Sequence, residues 1–259
     1  MRYPVRTGIF AFALPALAAA LWPATASAQE PPCPFYESRS GLCGYYHSEI
    51  SPAEAYLDTV DRRGKWDKIG KRWRQHVRRP VILDVRSTAE YEAGHPERAF
   101  NVPYPYIQQT CDAAGRTPDG ACAGAKVSEI AQDPIAFANY VESIIPDKTT
   151  PIYTLCRTGV RSVGAANVLA ARGYTNVRNI WEGFVGINLT APKVQADGTV
   201  KTMPVDLNHD GVVNDEDKNG WRYHQALPYS TRVRPSLIYQ PFAYLYTMTG
   251  GDGSQDQDD

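Results

Sequence analysis

Short runs of apolar and β-branched residues alternate with helical patterns through the middle of the chain. The runs at 80–85 (PVILDV), 151–156 (PIYTLC) and 177–181 (VRNIW) have the length and composition of buried strands. Between them, apolar residues recur at helical spacing over 133–145, and small residues fill a helical interval over 159–173. Strands and helices in this order predict an α/β fold, with a parallel sheet wrapped by helices on both faces.

Residues that start and stop helices mark the ends of these predicted elements. The sequence SPAE at 51–54 matches a capping box, with serine as the N-cap and proline at the first helical position. Asp133 is placed to cap the helix that follows it. A shorter helix is predicted over 87–95, where a glycine ends it, and an extended segment is predicted at 98–104.

Several segments interrupt or flank this pattern. Residues 29–49 are rich in Pro, Gly, Tyr and Cys, which predicts an irregular N-terminal segment. Residues 105–132 contain many small residues and favour a surface insertion. Aromatic residues recur over 239–248, within a C-terminal segment of 236–249, and predict a core or edge strand or, alternatively, a partner-binding surface. The acidic tail at 250–259 is predicted to be disordered.

The first residues have the pattern of a secretory leader. Two arginines precede an apolar run from Gly8 to Leu21, and Ala26-Ser27-Ala28 offers a signal-peptidase site. We therefore predict a signal peptide over 1–28, a mature chain that starts near Gln29, and a periplasmic or secreted protein. A retained N-terminal anchor is the alternative, and no later run predicts a membrane span.

The charge balance gives no support to nucleic acid or a membrane surface as a partner. The full chain has a formal net charge of −1, and without residues 1–28 it has 25 basic and 28 acidic side chains, a net charge of −3. The stretch 62–79 is a local exception, with nine Lys or Arg residues and one acid, Asp67. This stretch favours a solvated helix face and loop, and attraction of an anionic substrate or partner is the alternative.

Five cysteines in an exported chain predict two disulfides and one thiol that needs an explanation. Proximity in sequence favours the pairs Cys33–Cys43 and Cys111–Cys122, which leaves Cys156 free, although four cysteines allow three pairings. Each such loop would be stabilised by roughly 3 kcal/mol in the chain-entropy account.

The stretch CRTGVRS, 156–162, places this cysteine between a predicted strand and a predicted helix. A sulfur at a helix N-terminus meets backbone N–H groups, and Arg157 and Arg161 add positive charge, so the surroundings favour a reactive thiolate. Gly159 allows the tight turn that this path requires. The alternative is a buried free thiol that acts as a small apolar side chain.

Together with four other segments, this loop resembles the rhodanese family of sulfurtransferases. The segments are LDVRSTAEYEAGH (83–95), NVPY (101–104), CRTGVRS (156–162), GYTNVRNIWEGFVG (173–186) and GWRYHQALPYS (220–230). The resemblance implies a rhodanese-like domain over 50–235, with a parallel sheet flanked by helices. The sequence departs from the family at HPERAFNVP, where Glu97 or Arg98 replaces a turn glycine.

The resemblance implies that Cys156 takes a sulfane sulfur from thiosulfate or a similar small anionic donor and passes it to cyanide or another thiol. Arg157 and Arg161 would bind the donor, and no organic cofactor is needed. The backbone would cradle the persulfide, and an ion-pair network would orient the loop. The cradle residues are Thr158, Gly159, Val160 and Ser162, and the network residues are Asp84, Arg86 and Glu90.

Other functions are less well supported by this loop. The six-residue span from Cys156 to Arg161 is one residue shorter than in related phosphatases, and a tight loop suits sulfur better than a tetrahedral phosphate. A noncatalytic binding module or a sulfur carrier, acting with a periplasmic protein partner, is the remaining alternative.

A second pattern, DLNHDGVVNDED at 206–217, matches an EF-hand-type calcium loop of the dockerin variety. Oxygen ligands at alternate positions suit a hard cation, Gly211 permits the bend, and Val213 is predicted to pack on the core. We predict a structural Ca²⁺ ion in an insertion over 188–218, and an Asp/Asn-rich turn without metal is the alternative. The predicted ligands are Asp206, Asn208, Asp210, the Val212 carbonyl, Asn214 and Asp217.

Overall fold

The computed structural model describes residues 33–37, 41–60, 65–67, 72–74 and 79–247. The predicted leader, much of the basic stretch and the acidic tail lie outside the described residues. Within the described residues, no helix has the length and apolar character needed to cross a membrane.

The elements follow the alternation expected from the sequence. The strands are β1 (Phe35–Glu37), β2 (Leu42–Gly44), β3 (Ser48–Ile50), β4 (Lys65–Asp67), β5 (Arg72–Arg74), β6 (Val81–Asp84), β7 (His95–Pro96), β8 (Phe100–Asn101), β9 (Tyr106–Cys111), β10 (Lys126–Ala131), β11 (Ile152–Leu155), β12 (Val177–Ile180), β13 (Thr190–Val194), β14 (Val200–Pro204) and β15 (Tyr229–Ser230). The helices are α1 (Pro52–Val60), α2 (Thr88–Glu92), α3 (Pro134–Ile144) and α4 (Arg161–Ala171), with 3-10 turns at Asp215–Asp217, Pro235–Leu237 and Gln240–Leu245.

Five of these strands form the central sheet, in the order β3-β12-β11-β6-β8. Every neighbouring pair in this sheet is parallel, which confirms the predicted parallel α/β sheet. Leu155 at the end of β11 pairs with Asp84 at the end of β6. The segments that follow these two strands therefore leave the sheet at the same edge.

Both faces of the sheet are buried. Successive residues of a strand point to opposite faces, and Ile152 of β11 packs in one apolar cluster while Tyr153 packs in another. The first cluster includes Phe137 of α3 and Leu169 of α4. The second includes Ala55 of α1, with the buried Trp221 beside it. Helices thus cover the sheet on each side, as the alternating pattern predicts.

Two disulfides form with the predicted connectivity. Cys33–Cys43 staples the N-terminal segment, and Cys111–Cys122 closes the insertion at 105–132, while Cys156 is free and buried. The insertion is an antiparallel hairpin of β9 and β10. The N-terminal segment is less irregular than predicted, because β1 pairs with β2 and β3 joins the edge of the central sheet.

The prediction of a strand at 239–248 is wrong. A 3-10 helix spans Gln240–Leu245, and Pro241 lies in its first turn, where its missing N–H is tolerated. The segment is kinked at Phe242, whose backbone angles are not helical, and the Phe242 ring stacks on Tyr239 with ring centroids 5.8 Å apart. The aromatic residues therefore pack along a kinked 3-10 segment, and Tyr246 after it is buried.

Candidate active site

Cys156 lies at the carboxyl edge of the sheet, between β11 and α4. Its side chain is fully buried, and its Sγ accepts a hydrogen bond from the Ser162 hydroxyl at 3.3 Å. In the described structure no side chain caps the first turn of α4. Cys156 therefore precedes the N-terminus of α4, the end of a helix that carries the positive end of its dipole.

The loop after Cys156 is held by the chain that follows β12. Phe184 N–H donates to the Cys156 carbonyl at 2.8 Å, and Val185 N–H donates to the Arg157 carbonyl at 2.8 Å. Gly159 has a φ of +81°, and a Cβ atom there would lie 1.7 Å from the Trp181 carbonyl oxygen. No side chain fits at this position without moving the backbone, which explains the glycine of CRTGVRS physically.

Arg161 is locked by the ion pair that it forms with Glu90. Its guanidinium donates to both carboxylate oxygens, at 2.6 and 2.9 Å, and it also donates to the Tyr106 hydroxyl. Burial acts to lower the pKa of Arg161, but the Glu90 carboxylate outweighs it and the pKa is raised. The coulombic interaction of Arg161 with Cys156 also acts to raise the pKa of Arg161.

Glu90 is fixed at the start of α2. Its carboxylate accepts from the Ser87 N–H at 3.1 Å and the Ser87 hydroxyl at 2.9 Å, completing a capping box. Burial alone would raise the pKa of Glu90, but Arg161 and the hydrogen bonds leave it below its ordinary value. Glu90 therefore remains a carboxylate and holds Arg161 in place.

Asp84 and Arg86 form a separate buried pair. Arg86 donates to Asp84 through Nε at 2.9 Å and Nη2 at 2.6 Å, and Nη2 also donates to the Gly94 carbonyl. Its guanidinium lies 4.0 Å from the centroid of the Phe184 ring. The three residues predicted to form one network thus belong to two separate ion pairs. The Asp84–Arg86 pair contacts the chain after α2 at the Gly94 carbonyl and the Phe184 segment that holds the loop.

Arg157 is paired with Asp119, which comes from the β9–β10 hairpin. Its Nε donates to Asp119 Oδ2 at 2.5 Å. Asp119 and Tyr106 lie in the predicted surface insertion, and sequence reasoning assigned no site residue there. The predicted disulfide indicated that this segment is ordered. No local pattern in the sequence, however, predicts that Asp119 contacts Arg157, which is 38 residues along the chain.

The predicted calcium loop is a set of tight turns at the surface. The Asp217 carboxylate accepts from the N–H groups of Leu207, Asn208 and Asn214 at 2.7, 3.2 and 2.8 Å. Asp206 accepts from Gly211 N–H at 2.8 Å. Among the described residues, no group of three or more His, Cys, Asp or Glu side chains is arranged to hold a metal ion.

One detail of that loop differs from expectation. Val213 is 41% exposed, so the prediction that it packs on the core is wrong. The insertion consists of the hairpin β13–β14 and the turns after it, and both strands of the hairpin are exposed throughout. Val213 lies in a stretch, 211–216, that is exposed at every position.

Comparison with known proteins agrees with this architecture. The sequence profile described as Rhodanese-like domain matches residues 70–190. Rhodanese-like domain-containing protein 17 of Arabidopsis thaliana is 30% identical over 139 residues, which cover 52% of this chain and 69% of that protein. The chain belongs to the rhodanese-like domain family. Thiosulfate sulfurtransferase 18 of the same plant is 31% identical over 103 residues, which cover 40% of this chain and 62% of that protein.

Solved structures give a weaker likeness. Rv0390 from M. tuberculosis is 22% identical, with 72% of this chain and 98% of that chain covered and a TM-score of 0.37. A rhodanese with anions from E. coli is also 22% identical, with 39% of this chain and 82% of that chain covered and a TM-score of 0.25.

Proposed function

We propose that this rhodanese-like protein is a sulfurtransferase that carries a sulfane sulfur as a persulfide on Cys156. The observation that carries the proposal is the placement of Cys156: it is the free thiol of the chain, and it lies between β11 and α4 in the loop that the Phe184 segment holds. A helix N-terminus and a nearby guanidinium stabilise a thiolate and a persulfide anion.

The proposed transfer has two balanced steps. The Cys156 thiolate attacks the outer sulfur of thiosulfate, the S–S bond of the donor breaks, and sulfite leaves with the bonding electrons. The product is a Cys156 persulfide anion. Cyanide or a thiolate then attacks the terminal sulfur, and the Cys156 thiolate is regenerated.

The surrounding residues have distinct roles in this proposal. Ser162 donates a hydrogen bond to the sulfur and orients it. Arg161, which Glu90 holds, supplies positive charge to the thiolate. Arg157 has a side chain that is 30% exposed, so it is placed to meet a donor that arrives from solvent. The cradle is formed by the backbone of Thr158, Gly159, Val160 and Ser162.

Turnover of a sulfur donor tests this function. We expect the protein to form thiocyanate from cyanide with thiosulfate or with a small hydropersulfide as donor. Cys156→Ser should abolish turnover while the melting temperature stays close to that of the wild type, because the hydroxyl replaces the thiol with little change in volume. Turnover that survives in Cys156→Ser would contradict the proposal, and a folded wild type without turnover would favour the noncatalytic binding module or sulfur carrier.

We also propose that the loop at 206–217 binds Ca²⁺ as a structural ion. Asp206 Oδ1 is buried and has no hydrogen-bond partner among the described residues, and Gly211 has a φ of +89°, which permits the bend of such loops. The ion would be held by Asp206, Asn208, Asp210, the Val212 carbonyl, Asn214 and Asp217. We expect chelation by EGTA to speed proteolysis within 188–218, and added Ca²⁺ to reverse the effect. Unchanged proteolysis would contradict calcium binding.

The same reasoning extends to the compartment and the partners. Two disulfides are stable in an oxidising environment, which supports a periplasmic or secreted protein. The proposed partners are a small anionic sulfur donor, a thiol or cyanide acceptor and a periplasmic protein. Fractionation of cells that express the full chain, with detection of the protein, tests the location.

A further inference from the structure

The tip of the β9–β10 hairpin brings a carboxylate into the proposed site. Asp119 accepts from Arg157 Nε at 2.5 Å, and its other oxygen accepts from the Thr117 hydroxyl at 2.6 Å. Only 5% of the Asp119 side chain is exposed. Burial acts to raise the pKa of Asp119, but the bonds from Arg157 and Thr117 leave the pKa below its ordinary value, so the group is a carboxylate at neutral pH.

The position of Asp119 is fixed by the hairpin and its neighbours. Cys111–Cys122 closes the hairpin covalently. A Cβ atom on Gly120 would lie 2.2 Å from the Ala89 carbonyl oxygen, so the backbone of the tip packs directly on α2. Arg116 donates to the Gly120 carbonyl at 2.8 Å. Asp119 is therefore held against Arg157 by the fold and does not depend on a flexible side chain to reach it.

This arrangement changes the charge that a donor meets. Arg161 pairs with Glu90, and Arg157 pairs with Asp119, so these four side chains have no net charge. Burial raises the pKa of Tyr106, whose neutral hydroxyl contacts Arg161. The sequence alone shows two arginines beside Cys156, but the structure shows each of them paired with a carboxylate, so a donor meets less positive charge than two unpaired guanidinium groups would give.

We propose that Asp119 is a specificity-determining residue that neutralises Arg157 and makes the site select hydropersulfide donors over dianionic donors such as thiosulfate. This inference rests on the proposed sulfurtransferase function and names the donor class of that same site. Arg157 is the more exposed of the two guanidinium groups. A dianion that binds Arg157 must compete with a fixed carboxylate, whereas the hydropersulfide group brings at most one negative charge.

The transfer from a hydropersulfide, RSSH, is balanced without another reactant. The Cys156 thiolate attacks the outer sulfur of RSSH, the S–S bond of the donor breaks, and the thiolate RS⁻ leaves with the bonding electrons. The outer sulfur keeps its proton and becomes the terminal sulfur of a Cys156 hydropersulfide. One negative charge enters the step and one leaves it, so the site never holds the double charge of sulfite.

Donor selectivity tests the role of Asp119. We expect Asp119→Asn to raise kcat/KM for thiosulfate by about tenfold relative to kcat/KM for 2-hydroxyethyl hydropersulfide, which carries at most one negative charge, since removal of one nearby negative charge favours a dianion most. Asp112→Asn is the matched control, because Asp112 is in the same hairpin and, among the described residues, its carboxylate accepts from the Ala114 and Ala125 N–H groups and from no arginine. An unchanged donor ratio in folded Asp119→Asn, or an equal shift in Asp112→Asn, would overturn the proposal.

Alkylation of Cys156 separates this inference from the proposed function, because it needs no sulfur transfer. The rate of Cys156 alkylation by iodoacetate is divided by the rate with iodoacetamide, and this ratio is normalised to the same ratio for free glutathione. The normalised ratio should be about fivefold higher in Asp119→Asn than in the wild type. Peptide mass spectrometry measures both rates, and Asp119→Ser gives the same comparison if Asp119→Asn does not fold. An unchanged ratio would contradict charge selection by Asp119. A shifted ratio in a protein that forms no persulfide would sink the proposed function and leave charge selection standing.

Discussion

The loop at 156–162 and the loop at 206–217 both carry several candidate functional residues on a short stretch of chain, but different contacts hold them in place. The first is fixed by partners far away in sequence: Glu90 is 71 residues from Arg161. The second is fixed by its own backbone, because Asp217 accepts from residues at most 10 positions away. The conformation of the first loop therefore depends on the folded domain, whereas the conformation of the second loop depends on contacts within the loop itself.

The largest effect is expected when the glycine of the first loop is substituted. Gly159→Ala places a Cβ atom against the Trp181 carbonyl at a φ of +81°, so we expect the free energy of unfolding to fall by about 4 kcal/mol. Gly198→Ala is the control, since Gly198 has a φ of +80° in the exposed hairpin β13–β14 but nothing lies within 4 Å of its Cβ position. It should lose only about 1 kcal/mol in urea unfolding. Equal losses in the two variants would contradict the packing account.

Removal of the Glu90 charge should have the next largest effect. Glu90→Gln leaves Arg161 buried without its carboxylate, so we expect a loss of about 3 kcal/mol in the free energy of unfolding. Cys156 should also react more slowly with iodoacetamide, because Arg161 is no longer held in place. Glu142→Gln removes a partly exposed partner of Lys148 and should cost much less. A loss in Glu90→Gln no larger than in Glu142→Gln would show that the buried pair does not position the loop.

The smallest effect concerns His95, which is buried beside α2. Its ring stacks on Tyr91 with centroids 3.7 Å apart, and burial lowers its pKa although its Nδ1 lies 2.8 Å from the Tyr91 carbonyl oxygen. Because the folded-state pKa is below the unfolded value of about 6.5, the neutral ring contributes its full stability above that pH. This contribution is lost as the pH falls through the folded-state pKa.

Urea unfolding between about pH 7.5 and pH 5 measures this dependence. His95→Gln should have a flatter profile than the wild type over that range, because glutamine does not titrate. A wild-type profile as flat as that of His95→Gln would contradict the assignment to His95.

The three central strands β12, β11 and β6 could be predicted because each carries its own apolar signal, whereas the edge strand β3 has the sequence SEI and lacks such a signal. Local signals also predicted Cys156 at the carboxyl end of β11 and the capping box at the start of α1, where Ser51 N–H donates to the Glu54 carboxylate and Glu54 N–H donates to the Ser51 hydroxyl. Asp119 could not be predicted, because its role depends on where a hairpin folds back onto another part of the chain. The replaced turn glycine could be predicted in part. The sequence showed Glu97 or Arg98 in its place, and the structure shows that Arg98 adopts the left-handed conformation, with a φ of +64°.

The most direct test of the central claim is the mass of the Cys156 peptide after the protein, first freed of bound sulfur with cyanide, meets a hydropersulfide donor. The account predicts an added mass of one sulfur atom on this peptide, removed again by cyanide and absent from Cys156→Ser. An unmodified Cys156 peptide from the folded protein would contradict it.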